Sequence, residues 1–177
     1  IRLVNQLVEA LENDISKKQV VFASSTQKER DNAYGRSKFK GHEIFRNWAE
    51  KSNGTFTTLI IPNVYGPFCK PFYNSVIATF CHQLMMNQEP DIKVDSDIKL
   101  IYVDELIDNI FKNFKQNKQI MDVKIDHSDS IKVSRLLKKL IKFKSSYVQK
   151  GIIPDLSNRF TKNLFNTFLC YSNFDHF

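Results

Sequence analysis

Glycine is scarce in this chain. The 177 residues hold five, Gly35, Gly41, Gly54, Gly66 and Gly151. No three of them cluster, so there is no Gly-rich turn of the kind that cradles a pyrophosphate at a helix N-terminus. Cysteine is sparser still. Cys69, Cys81 and Cys170 are an odd number without close spacing, which argues against a disulfide framework and for a reducing, cytoplasmic setting. No run reaches the roughly 18 apolar residues of a membrane helix. The opening IRLVNQLVEALEND mixes Asn, Gln and Glu into its apolar residues and reads as an amphipathic helix instead of a signal peptide. His42, His82, His127 and His176 are scattered without ligand spacing, so no metal is expected. The chain starts without Met, which leaves open a fragment, a processed chain or a cropped one.

What is present points to one domain with a real core: 42% of residues are hydrophobic and 25% charged, as in soluble globular proteins. The net charge of +7 brings a polyanionic partner into question. Its densest stretch, KVSRLLKKLIKFK at 132–144, carries Val133, Leu136, Leu137, Leu140 and Ile141 at helical spacing. Those lysines form the solvated side of an amphipathic helix, and a nucleic-acid partner is not expected. A nucleotide ligand would also benefit from the charge.

Periodicity orders the rest. A helix over 2–13 gathers Leu3, Val4, Leu7, Val8 and Leu11 on one face, and QVVFASS (19–25) is a strand. A helix over 34–51 is expected to bury Phe39, Phe45, Trp48 and Ala49; TFTTLII (55–61) is a strand stopped by Pro62. Then come a helix at 73–87, short strands at 92–94 and 99–103, and a helix at 104–114 capped by Asp104. A strand at 119–125 follows, then the basic helix capped by Asp129 or Ser130, a loop-like stretch at 144–158 rich in Ser, Gly and Pro, and a helix at 159–171. Strands alternating with helices predict an α/β fold with a mostly parallel sheet. Met85 and Met86 read as helix-face packing, His82 as a surface or hydrogen-bonded histidine, and Cys69 as a loop thiol without a base beside it.

The chemistry concentrates in ASS and NAYGRSK. A strand ending in Ser24 and Ser25 delivers hydroxyls to the carboxyl edge of a sheet, where α/β sheets bind ligands. Tyr34 and Lys38 stand i and i+4 on one helix face. A free phenol titrates near 10 and is a poor acid or base at neutral pH; a neighbouring cation favours the phenolate. A serine donating to the same substrate oxygen would steady developing charge. These groups suit hydride chemistry at an oxygen-bearing carbon, with the hydride from a cofactor. The Tyr-x-x-x-Lys spacing alone is common, and alone it points more to a solvent-exposed pair than to an acid/base pair.

The set VVFASS, NAYGRSKFKGHE, LIIPNVYGP, YNSVIATF and LIYVDEL resembles the extended short-chain dehydrogenase/reductase (NAD-dependent epimerase/dehydratase) family over about residues 1–171. It resembles most the branch of bifunctional reductase/epimerases that make the N-acetyl-L-fucosamine precursor in capsular polysaccharide synthesis. The resemblance implies Tyr34 as acid/base, Lys38 as its modulator and ribose holder, and Ser25 as the substrate-orienting hydroxyl, with Ser24 the alternative if the strand slips by one. It implies Pro62, Asn63 and Val64 near the nicotinamide, with Ile61 where the family often has Arg. Asn74 and Ser75 would meet the nucleotide diphosphate, and Tyr102, Val103 and Asp104 would pack under the substrate pocket. Thr26 and Gln27 stand where sugar 4,6-dehydratases carry Asp-Glu, which favours reduction over dehydration.

The family's Gly-rich turn is missing, and the resemblance places residue 1 in the helix before the serine strand. In the relatives that the resemblance implies, a metal-binding cupin domain follows the last helix, and it too is missing from this sequence. On this basis residues 1–66 are the second half of a Rossmann-type dinucleotide sheet, and 67–177 are mostly a substrate-binding lobe with a returning strand. The expected activity is reduction of a 4-keto UDP-sugar with NADPH or NADH, NADPH preferred, with weak or no turnover from this chain alone. A homodimer through helices 2–13 and 34–51 is expected. A second reading is a non-catalytic binding or dimerising remnant of the family.

Overall fold

The structure, a computed structural model, describes residues 1–13, 16–25, 33–114 and 118–172; Thr26, Gln27 and His176 lie outside them. The elements in chain order are α1 (Arg2–Glu12), β1 (Gln19–Ser25), α2 (Ala33–Lys51), β2 (Thr55–Ile61), β3 (Asn63–Tyr65) and α3 (Val76–Met85). They continue with β4 (Asp97–Tyr102), α4 (Val103–Phe114), β5 (Ile120–Lys124), β6 (Asp129–Lys132), α5 (Val133–Phe143), a π-helical turn (Lys144–Val148) and α6 (Arg159–Leu169). They form two compact units, Ile1–Pro62 with Ile107–Asp126, and Asn63–Leu106 with His127–Phe177. The fold is α/β. No helix among the described residues is long and apolar enough to cross a membrane.

The first unit is a parallel sheet of order β1-β2-β5. β1 and β2 run in step from Gln19↔Thr55 to Ser25↔Ile61, and β5 returns to pair Phe56↔Ile120 through Ile60↔Lys124. Both β1 and β2 are rich in β-branched and aromatic residues, and β2 ends where Pro62 has no N–H to give. Phe45, Trp48, Ala49 and Phe56 form the buried core, with Val4, Val8, Leu11, Val20, Phe22 and Ile120 packed against it. Gly54 turns the chain into β2 under the indole: a Cβ there would lie 2.3 Å from the Trp48 ring.

The expectation that α2 buries Phe39 fails. Phe39 is 58% exposed, and Leu3 and Leu7 are 81% and 48% exposed. Phe39 lies about 120° round the helix from Phe45, outside the arc that one sheet can cover. On α1, Val4, Val8 and Leu11 fill that arc, and Leu3 and Leu7 sit on its flank.

The second unit holds a mixed sheet of order β3-β4-β6, with β3 parallel and β6 antiparallel to β4. Its core joins Ile77, Phe80 and Leu84 of α3 to Leu136, Leu140 and Phe143 of α5 and to Leu164, Phe165 and Phe168 of α6. Here the sequence reading needs correcting. No strand forms at 92–94, and α3 starts at Val76 with Ser75 as its cap, the Ser75 Oγ accepting from Ala78 N. Asp104 lies inside the first turn of α4, where a carboxylate complements the helix dipole.

Residues 129–132 are strand, not cap. The basic helix begins after Lys132, which makes no side-chain cap. Its N-terminal N–H groups are met from elsewhere: Asp95 Oδ1 accepts from Ser134 N at 2.8 Å. Within 144–158, the first five residues form the π-helical turn, closed by Gln149 N donating to Lys144 O. Tyr147 sets its ring 5.2 Å from Phe165.

Asp95 yields a pH prediction. The Ser134 N–H holds its carboxyl below the usual range. A depressed folded pKa contributes stability that is present above the ordinary carboxylate value of about 3.9, and that is lost as pH falls through the lower folded value. Asp95→Ala is therefore expected to lower Tm near neutrality, with the gap to wild type closing in acid. Tm measured against pH checks this; a gap that stays constant well below the ordinary carboxylate range would mean the ionised carboxylate contributes nothing.

Candidate active site

In the first unit, Tyr34 and Lys38 lie on successive turns of α2. The Lys38 Nζ donates to the Ala23 carbonyl at 2.8 Å and sits 5.2 Å from the Phe22 ring centroid and 5.7 Å from that of Tyr34. The ammonium therefore joins the phenol to the end of β1. Phe22 packs on Phe45 of α2, their centroids 5.6 Å apart, so α2 covers the face of β1 that carries Val20, Phe22 and Ser24. Ser24 is buried, and its Oγ has no hydrogen-bond partner among the described residues. Ser25 is the last residue of the strand, half-buried, and alternation turns it to the other face. Tyr34 is 40% exposed. The ammonium thus lies between the Tyr34 ring and the carbonyl that precedes Ser24. Pro62 closes this unit, buried after β2.

His42 holds α2 in place, a role the sequence did not disclose. It is buried, with Nε2 3.1 Å from Oδ1 of Asp122 on β5 and its ring 5.6 Å from that of Phe56.

The second unit contains a cavity of about 560 Å³ at the N-terminus of α3. Asn74 and Ser75 line it together with Phe72, Phe80 and Lys93. Its rim is pinned: Phe72 N donates to Thr79 Oγ1 at 3.0 Å, and that hydroxyl donates to the Ser75 carbonyl at 2.8 Å. Phe72 and Asn74 take left-handed backbone conformations, φ 58° and 56°, which turn the chain sharply into the helix. Lys93, in the loop before β4, brings a cation to the wall. Asn63 and Val64 are on β3, with Asn63 Nδ2 donating to the Lys99 carbonyl at 3.1 Å. Tyr102 is buried in this unit's core, 5.3 Å from the Tyr65 ring, and does not line the cavity. Burial, then the Asp104 charge, push its phenol up.

Residues 1–124 match the NAD dependent epimerase/dehydratase family. The chain is 29% identical over 185 residues to UDP-2-acetamido-2,6-beta-L-arabino-hexul-4-ose reductase of Pseudomonas aeruginosa, across 99% of this chain and 47% of that protein. The capsular polysaccharide assembling protein CapF of Staphylococcus aureus matches with a TM-score of 0.81 at 30% identity, over 96% of this chain and 48% of CapF. UDP-glucuronic acid 4-epimerase from Bacillus cereus, solved with NAD, has a TM-score of 0.78 at 15% identity, over 97% of this chain and 64% of that one; this is a likeness of fold. The chain spans about half the length of the first two relatives. With the parallel sheet and the Tyr34–Lys38 arrangement, these matches lead to one conclusion: the chain belongs to the NAD dependent epimerase/dehydratase family.

Proposed function

We propose that this chain carries the catalytic and substrate-binding portion of a nicotinamide-dependent reductase acting on a 4-keto UDP-sugar in surface-glycan precursor synthesis, with NADPH the preferred reductant. The observation that carries the reading is the Lys38 bridge from the Tyr34 ring to the end of β1, beside the uncommitted Ser24 hydroxyl. When bound, the nicotinamide supplies the hydride to C4. Tyr34 gives the proton to the sugar oxygen as it gains charge. Lys38 steadies the phenolate left behind and holds the ribose hydroxyls. Ser25, or Ser24, donates to the same sugar oxygen and fixes its position. Pro62, Asn63 and Val64 are assigned to the nicotinamide side.

The UDP portion is assigned to the cavity at the N-terminus of α3. Its volume suits a ligand of that size, and helix N–H groups attract phosphate; Lys93 brings a cation to the wall and Asp91 a carboxylate. Tyr102 is assigned a supporting place under the sugar. Thr26 and Gln27, where dehydratases carry acids, favour reduction.

A homodimer through 2–13 and 34–51 completes the proposal, supported by the exposed Leu3, Leu7 and Phe39. The free thiols of Cys69, Cys81 and Cys170 fit a cytoplasmic location.

NADPH titration by calorimetry, paralleled by quenching of Trp48, the single tryptophan, tests the reading. Micromolar binding, weakened at least roughly tenfold, or about 1.4 kcal/mol, by Lys38→Ala, would mean that the site assembles without the Gly-rich turn. No binding at millimolar NADPH in a folded sample would overturn an autonomous cofactor site. A dimer persisting in that sample by light scattering would favour the dimerising remnant instead.

A further inference from the structure

Far apart in sequence, Cys69 and Cys170 are brought together in the second unit. Phe68, in a left-handed conformation with φ 62°, donates its N–H to Cys170 Sγ at 3.1 Å across 102 residues of sequence. Cys69 is the next residue, and its carbonyl accepts the Tyr171 hydroxyl. The segment carrying Cys69 is thus held against the end of α6 on both sides. Burial, followed by Cys170, Cys69 and Cys81 in that order, pushes the Tyr171 phenol up.

They differ in access. Cys81 is fully buried, and burial raises its thiol well above the usual range, so it stays protonated and shielded. Cys170 opens on a cavity of about 580 Å³ that His82, Lys144, Tyr171 and Ser172 also line, wide enough for a small polar oxidant. Cys69 is likewise only partly buried.

We infer that Cys170 and Cys69 form a peroxide-responsive thiol pair, Cys170 the attacking sulfur and Cys69 the resolving one. The Cys170 thiolate attacks one oxygen of hydrogen peroxide, the O–O bond breaks, and hydroxide leaves with a sulfenic acid formed. The Phe68 N–H points at the sulfur on which charge changes in that step. The Cys69 thiolate then attacks that sulfur, the S–O bond breaks, and a second hydroxide leaves and takes up a proton. In sum, two thiols and one peroxide give a disulfide and two waters; the thiols lose the electron pair that the peroxide gains. The link ties the loop between β3 and α3 to the end of α6, and a small-molecule dithiol reverses it. It stands independently of the proposed reductase activity.

The test is hydrogen peroxide treatment of the full chain, with free thiols then counted under denaturing conditions and peptides mapped without reductant. Of the three thiols, two are expected to disappear. Monomer mass should fall by about 2 Da, with one peptide pair joining Cys69 to Cys170 and full recovery in dithiothreitol. With Cys69→Ser, Cys170 should instead stop at a sulfenic acid, about 16 Da heavier and trapped by dimedone; with Cys170→Ser, no internal link should form. Three surviving thiols, a link through Cys81, or disulfides only between chains would each overturn the inference.

Discussion

Replacing Tyr34 by Phe is expected to slow reduction of a 4-keto UDP-sugar by about 10²- to 10⁴-fold, the usual worth of a positioned acid/base. The substitution removes one oxygen from a residue that is already 40% exposed, so the fold has little to lose. The ring remains for Lys38 to lie against, and the Lys38 bond to the Ala23 carbonyl does not involve the phenol. NADPH affinity should therefore change much less than the rate. Single-turnover oxidation of NADPH at 340 nm with excess chain is the suitable measurement, since little or no turnover is expected of this chain by itself. An unchanged rate in Tyr34→Phe would remove the phenol from the chemistry. A rate loss matched by an equal loss of NADPH binding would make Tyr34 a binding residue only. By the same logic, Ser24→Ala and Ser25→Ala, measured side by side, decide which hydroxyl meets the sugar oxygen.

Phe168→Ala is expected to cost about 3–5 kcal/mol, the range for a large aromatic deleted from a close-packed core. Phe168 is fully buried, 5.7 Å from Phe143 and 6.4 Å from Phe165 between ring centroids. It thus joins α5 to α6 with neighbours that are themselves rigid rings, and they cannot collapse to fill the void. Urea unfolding followed by far-UV circular dichroism gives the size of the effect, and hydrogen exchange in α5 and α6 gives its place. Ile153→Ala, at a residue 65% exposed, is the control and should stay within about 0.5 kcal/mol. A Phe168→Ala cost no larger than that control would mean the α5–α6 packing does not hold the unit together.

Local physics made much of this chain legible. QVVFASS and TFTTLII become strands with the bounds their β-branched residues and Pro62 indicate. Tyr34 and Lys38 share a face because any helix puts i and i+4 together. Trp48 is core, as its spacing with Phe45 and Ala49 implies, and the motif set carried the family. What stayed hidden depended on partners distant in sequence. β3 and β6 are too short and polar to show a period, and exist because β4 pairs with both. The start of α5 is satisfied by Asp95, nearly forty residues away, where the local Asp129 and Ser130 had looked sufficient. Leu3, Leu7 and Phe39 carry the same apolar signal as their buried neighbours, since periodicity states that a face is apolar and not how wide an arc is covered.

The division extends to function. The sequence by itself determined which residue types were available: a phenol and an amine one turn apart, and serines ending a strand. Tertiary structure alone decided that Lys38 would reach the Ala23 carbonyl, that Lys93 would line one cavity with Asn74 and Ser75, and that Phe68 would bring Cys69 to Cys170. The physical reason is range. Propensity, capping and periodicity act within a turn or two of the chain, whereas a site is assembled by the packing of segments whose separation in sequence carries no signal of their contact.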